Sequence, residues 1–237
     1  MSSPAPNSGS DHLLELTMQA FAFARRAAAA AADGIATGSA APLKSVREYE
    51  RKLDSIDSEV DDLVTSTIGA AGDKDARQLL ACMKFVIALE RIGDLLLNFT
   101  NRAEAVAARI DVQDAKELTV MAARLERMIA DVESSFRDRN LDAAVAVLRS
   151  DAEMDRLCNL VMFRHLEPTA QELRLNSFHV LFMAQELERC GDHTKNMAEE
   201  VCHLISGRTV RHVLKSYEKP VELKRFIERL RKPEERT

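Results

Sequence analysis

The segment Leu89-Glu90-Arg91-Ile92-Gly93-Asp94-Leu95-Leu96-Leu97-Asn98 returns as Leu187-Glu188-Arg189-Cys190-Gly191-Asp192-His193-Thr194-Lys195-Asn196. Leu, Glu, Arg, Gly, Asp and Asn all recur at one offset of 98 positions. Six matches in a fixed register identify a tandem repeat of two similar units. Within each copy Glu and Asp stand one helical turn apart, so their β-carbons lie about 5–6 Å from one another and the charges repel by a few tenths of a kcal/mol. A positive partner is expected there, and a metal ion is the leading one.

The sequence around the repeated segment is helical. Gly (8) and Pro (6) are scarce among 237 residues, and Trp is absent. Abundant Ala, Leu, Glu and Arg favour an all-α protein. The spacing predicts six long helices in two sets of three. The first runs from about Asp11 (an N-cap) to Ala32, broken by Asp33-Gly34 and by Gly38 to Pro42. The second runs from about Leu43 to Ala70, with Val46, Leu53, Ile56, Val60, Leu63 and Val64 at helical steps. Ala71-Gly72-Asp73 turns into a third, from about Lys74 to Ala108. The fourth spans about Asp111 to Arg139. Asn140-Leu141-Asp142 caps a fifth that ends near Leu166, and Glu167-Pro168-Thr169 breaks it. The sixth spans about Ala170 to Ile205, ended by Gly207. The expected organisation is therefore a disordered tail over 1–10, three-helix bundles over 11–109 and 110–207, and a basic tail over 208–237 with a short helix near Val221–Leu230.

A formal net charge of −5 argues against general nucleic-acid binding. No run approaches the roughly 18–20 apolar residues that span a bilayer, and the N-terminus lacks the pattern of a signal peptide. Cys82, Cys158, Cys190 and Cys202 form no C-x-x-C pair and read as buried thiols of a reducing compartment. No Gly-rich phosphate loop, G-x-S-x-G elbow or H-E-x-x-H occurs. Glu200-Val201-Cys202-His203 is a single Glu-x-x-His step, whereas di-iron carboxylate proteins need two. His193, one position from Asp192, points about 100° away from it and reads as a surface histidine.

Each repeated segment has an acidic partner upstream. Glu50 and Asp54 lie on the second predicted helix, and Asp151 and Asp155 lie 101 positions later on the fifth. Antiparallel packing would bring these against Glu90 and Asp94, and against Glu188 and Asp192, giving four carboxylates per half. That is a hard oxygen-donor set, suited to magnesium, manganese, calcium, iron or zinc. Bridging carboxylates can hold several cations roughly 3.5–4 Å apart. The competing reading is of solvated acids paired with Arg51, Arg91 or Arg189. It would suffice for one motif, but four in duplicated register favour a metal site. Asn98 and Asn196, a turn further along, are additional candidate ligands. Gly93 and Gly191 cost about 1 kcal/mol each inside a helix, which points to a close approach by a neighbouring helix or by the cluster.

The doubled Leu-Glu-Arg-x-Gly-Asp-x-x-x-Asn segment, each copy preceded by an acid-x-x-x-acid helix, resembles the PhoU family of phosphate-transport regulators. The resemblance covers roughly Asp11 to Gly207. Asp75-Ala76-Arg77 and Glu172-Leu173-Arg174 match a lesser motif of that family, one position out of register. The resemblance implies two three-helix bundles side by side, each with a multinuclear metal cluster on its surface. It implies a cytoplasmic protein, often homodimeric, that works without catalysis. Such proteins restrain uptake by a phosphate ABC transporter and help a membrane sensor histidine kinase repress phosphate-starvation genes. Carried over by position, the ligands are Glu50, Asp54, Glu90, Asp94, Asp151, Asp155, Glu188 and Asp192. Cys190 stands where the family usually has Ile, and Leu95–Leu97 makes the first copy unusually apolar, marking that face as a candidate dimer or partner surface. Two other classes remain beside this one: a carboxylate metallo-enzyme, and a metal-free helical interaction module.

Overall fold

The computed structural model describes residues 8–106, 109–166 and 175–207. Among these there are six α-helices and no strand: α1 Ser8–Thr37, α2 Ala40–Thr67, α3 Asp73–Val106, α4 Val112–Asp138, α5 Leu141–Leu166 and α6 Leu175–Ser206. One 3₁₀ turn, Ile68–Ala70, finishes α2. Residues 1–7 of the expected N-terminal tail, the C-terminal tail, the Glu167-Pro168-Thr169 break and the Glu172-Leu173-Arg174 match lie outside the described residues, whereas residues 8–10, expected in the disordered tail, are helical.

Both ends of α1 and the start of α2, at Ala40 rather than Leu43, differ from the sequence expectation, each for a local reason. Helix α1 begins at Ser8, so Asp11 sits inside its first turn rather than at its cap. It also continues through Asp33-Gly34 to Thr37. Gly34 is there for proximity rather than flexibility: a β-carbon on it would come 2.5 Å from Leu43 Cδ2 at the start of α2. The chain turns at Gly38, whose φ of +66° is the left-handed conformation glycine adopts freely. Ser39 then caps α2 by accepting from the Ala41 amide at 3.4 Å. Elsewhere the expected signals operate. Asp111 accepts from the Gln113 amide at 2.8 Å to start α4, and Asn140 accepts from Asp142 and Ala143 to start α5.

Helices α1, α2 and α3 pack mutually, as do α4, α5 and α6; the two bundles join through α1 on α4 and α3 on α6. Helix α1, whose Ala20, Ala24, Ala27, Ala28 and Ala31 are all fully buried, meets α4 in one seam. Its rim is tied by Arg25, which donates to Glu126 and Glu133 at 3.0 Å each. Phe85 of α3 lies edge-on to Phe136 of α4 (centroids 4.9 Å apart) and tilted against Phe21 of α1 (5.9 Å), so one apolar core crosses the boundary between the units.

The α3–α6 seam runs antiparallel: Arg102 pairs with Glu186 and Lys84 with Glu200, both at 2.9 Å. Midway, Cys190 Sγ lies 3.9 Å from the Ile92 carbonyl oxygen. Ile92 and Cys190 are the same position of the repeat, and counterparts meet only on a two-fold axis. The bundles are thus related by a local two-fold through the middle of α3 and α6. Leu95 and Leu96 are buried (6% and 0% exposed) and Leu97 partly so, which puts the first two in the core rather than on a partner surface.

A second acidic group serves stability. Asp114, buried in the first turn of α4, accepts from Arg164 at 2.7 Å and faces His165 at 3.1 Å in the last turn of α5. Glu117 accepts from the same guanidinium, and this holds its carboxyl below the ordinary value. Its contribution is therefore present above the unfolded carboxyl range and is lost as pH falls through the depressed folded value. Replacing Arg164 with Ala should cost about 2 kcal/mol at neutral pH. It should also move the acid-unfolding midpoint to higher pH in a fluorescence or circular-dichroism titration. An unchanged acid midpoint would remove the role assigned to the pair.

Candidate metal centre on the first bundle

Helix α2 presents Glu50, Asp54, Asp57 and Asp61 along one face, and α3 presents Glu90 and Asp94 beside them. The two helices approach because Gly93 has no side chain. A β-carbon there would come 2.8 Å from Leu53 Cδ1 and 3.7 Å from the Glu50 α-carbon. The sequence expected either a helix or the cluster against this glycine, and Leu53 of α2 is what fills the space. Carboxylate oxygens of Glu50, Asp54 and Asp94 consequently lie within 4.8 Å of one another. Burial, followed by the charges of Asp54 and Asp94, raises the Glu50 carboxyl above its ordinary value. Burial raises Glu90 too, with Asp94, Asp57 and Asp54 adding to it. Asp57 is raised by burial and by Asp61 and Asp54. Two cationic side chains stand near: Arg51, whose charge acts on Glu50, and Arg91, 60% exposed and 3.5 Å from both Glu90 and Asp94. A pair so open to solvent contributes little. The donor set, all oxygen and mutually repelling, fits a hard cation.

Asp57 and Asp61 did not enter the sequence-derived set. Their signal was nevertheless present, because acids at 50, 54, 57 and 61 follow alternating steps of one helix face. Asn98 and Asn196 are both exposed.

The second half is built on the same frame. Gly191 again admits α5, and a β-carbon on it would come 3.2 Å from Met154 Cγ and 3.9 Å from Asp151 Oδ1. Asp151, Asp155, Glu188 and Asp192 face one another electrostatically: burial raises Glu188, and Asp192, Asp155 and Asp151 raise it further. Asp151, however, is only 3% exposed and forms an ion pair with Lys195, which also stands 4.0 Å from Asp192. Lys195 was not singled out from the sequence, where it reads as an ordinary charged position within the repeat. Burial opposes its ammonium, but the hydrogen bond to Asp151 and the charges of Asp151, Asp192 and Asp155 raise it overall. At the position matching Asp57 stands Cys158, whose thiol burial and the neighbouring acids push up to about 11. His193 is half-buried rather than a surface residue. Burial lowers it, as do Arg189 and, from across the seam, Arg91.

All four cysteines are free and buried, as expected. The single Glu-x-x-His step is occupied otherwise, with Glu200 bonded to Lys84. Two clefts, of about 840 and 380 Å³, border the α1–α4 seam, and neither is lined by a carboxylate of either cluster.

Fold and site together define a duplicated helical-bundle protein with an acidic cluster flanking each side of a two-fold seam. The PhoU domain family profile matches it twice, over residues 17–103 and 118–201. The chain belongs to the PhoU family. It is 27% identical over 178 residues to the phosphate-specific transport system accessory protein PhoU homolog of Pseudomonas aeruginosa, covering 72% of each chain. It is 25% identical over 181 residues to PhoU homolog 1 of Thermotoga maritima, covering 74% of this chain and 78% of that one. The crystal structure of PhoU from Pseudomonas aeruginosa superposes with a TM-score of 0.80 at 20% identity, over 85% of this chain and 99% of that one. The phosphate transport system regulatory protein PhoU from Streptococcus pneumoniae gives 0.71 at 17% identity, over 85% and 97%.

Proposed function

We propose that this protein is a non-enzymatic regulator of phosphate homeostasis. It restrains a phosphate ABC transporter and helps a sensor histidine kinase repress phosphate-starvation genes, from the cytoplasmic side and as a homodimer. The names of its relatives support the transport role, and among the described residues no helix is long and apolar enough to cross a membrane. The observation that carries the metal reading is the convergence of Glu50, Asp54 and Asp94 to within 4.8 Å. These three, with Glu90 alongside, would hold the ion. When bound, the metal supplies positive charge that relieves their mutual repulsion and links α2 to α3. The chain's own part is positional. Gly93 and Leu53 set the helix spacing, and Arg91 stays at the rim, where a cation can displace it. The ordered acidic face is then the docking surface. An enzymatic role gains nothing from the clefts, which lie apart from the acids.

Asp94→Asn removes one oxygen charge while keeping the shape of the side chain. The variant should lose most of the metal found by elemental analysis of the native protein, and cells carrying it should express phosphate-starvation genes in phosphate-rich medium. Full metal loss with normal repression would separate the cluster from regulation. Unchanged metal would sink the site itself.

A further inference from the structure

The two halves share a frame but differ in what stands inside it. Lys195 is the repeat counterpart of Leu97, so the first cluster has an alkyl group where the second has an ammonium. Asp57 and Asp61 of α2 are matched on α5 by Cys158 and Met162, so the second half also has fewer acids. Asp151 is nearly fully buried. Lys195 holds one of its oxygens, and the other, Oδ1, is buried without a partner against the Gly191 gap. A buried carboxylate in that condition requires a cation, and the nearest one is covalently attached. No compact three-acid group like Glu50, Asp54 and Asp94 forms in this half among the described residues.

We propose that the second half carries its cation in the chain. The Lys195 ammonium takes the place among Asp151, Asp155, Glu188 and Asp192 that a metal ion takes in the first half, so metal loads on the Glu50–Asp54–Asp94 side alone. The inference rests on the metal reading of the first half and divides the duplicated site into unlike parts. Three physical terms favour the lysine. It is tethered, so it competes at high effective concentration. A metal entering the cluster would have to break the Asp151–Lys195 pair and leave a half-buried ammonium unmatched. The acids it would gain, Asp155 and Asp192, are exposed and remain hydrated. The first bundle then responds to metal supply, while the second presents a surface of fixed charge.

The test is equilibrium dialysis of the full chain, stripped with chelator, against Mn²⁺ alone. Asp94→Asn should abolish binding by the native chain, and Asp192→Asn should leave it unchanged. Lys195→Leu, which copies the first half, should bind more Mn²⁺ than the native chain. That gain should vanish in Lys195→Leu/Asp192→Asn and be absent in Lys195→Arg. Lys195→Gln keeps a hydrogen bond to Asp151 without the charge, and it repeats the gain measurement if circular dichroism shows Lys195→Leu to be unfolded. A fall in Asp192→Asn as large as that in Asp94→Asn would overturn the proposal, as would a folded lysine-free variant without gain. If the native chain binds no Mn²⁺, the metal reading of the first half fails separately. A gain on removing Lys195 would then still uphold the lysine's place in the second cluster, and no gain would overturn that too.

Discussion

Phe85→Ala is expected to lower the unfolding free energy by about 4 kcal/mol, the scale of emptying a large aromatic site in a packed core. Phe85 is fully buried in α3 and touches Phe21 of α1 and Phe136 of α4. Its loss therefore opens a cavity where the two bundles meet rather than inside one of them. Neither α1 nor α4 can close that cavity freely. Their seam is tied by Arg25 to Glu126 and Glu133. The substitution should therefore destabilise both halves together. Chemical denaturation followed by far-ultraviolet circular dichroism should show one transition at a lower midpoint. Two separated transitions, or a loss below about 1 kcal/mol, would mean that the core does not cross the boundary as described.

Arg102→Ala is expected to cost about 3 kcal/mol at neutral pH, near the lower end for breaking a buried ion pair because the arginine is itself one-third exposed. Glu186 has a side chain only 9% exposed, and its Oε2 is buried with no partner even with Arg102 in place. Removing the guanidinium strands the whole carboxylate inside the α3–α6 seam. It also takes away the stacking of Arg102 over Phe182 at 4.5 Å. Burial already raises the Glu186 carboxyl above its ordinary value of 4.5, with Arg102 pulling it down. Without Arg102 it rises further. A raised acid is unfavourable wherever the unfolded chain would be ionised, so the deficit should grow as pH climbs through the ordinary glutamate range and shrink below it. Urea melts of the native and variant chains across that range measure the difference directly. A deficit independent of pH would assign the loss to the Phe182 contact instead of the charge.

The repeat was legible because its chemistry is dense: two helical segments carry the same six residues in one register. From it followed the fold class, the pairing of α2 with α3 and of α5 with α6, and the glycines that let them approach. The acid faces were legible for the same reason. Lys195 was not, because a lysine inside a helical repeat looks like any solvated charge. Only the burial of Asp151 turns it into a partner, and burial is a property of the packed pair. Leu95–Leu97 misled in the opposite direction. Next to a polar motif an apolar triplet suggests a docking face, but here Leu95 and Leu96 are covered by the rest of the chain. Asp33-Gly34 failed as a helix stop because the glycine's role is steric, set by Leu43 across the interhelical gap, and no local rule carries that information.

The two-fold that passes between Ile92 and Cys190 belongs to one polypeptide, and this has an evolutionary consequence. In a symmetric pair of identical chains every substitution is written on both sides at once, so the sides cannot specialise. Here the two sides are separate stretches of one gene and can be revised independently. Ile92 beside Cys190 on the axis, and Leu97 opposite Lys195 off it, are two such independent revisions. The protein keeps the shape of a symmetric assembly while its flanks are free to answer to different signals.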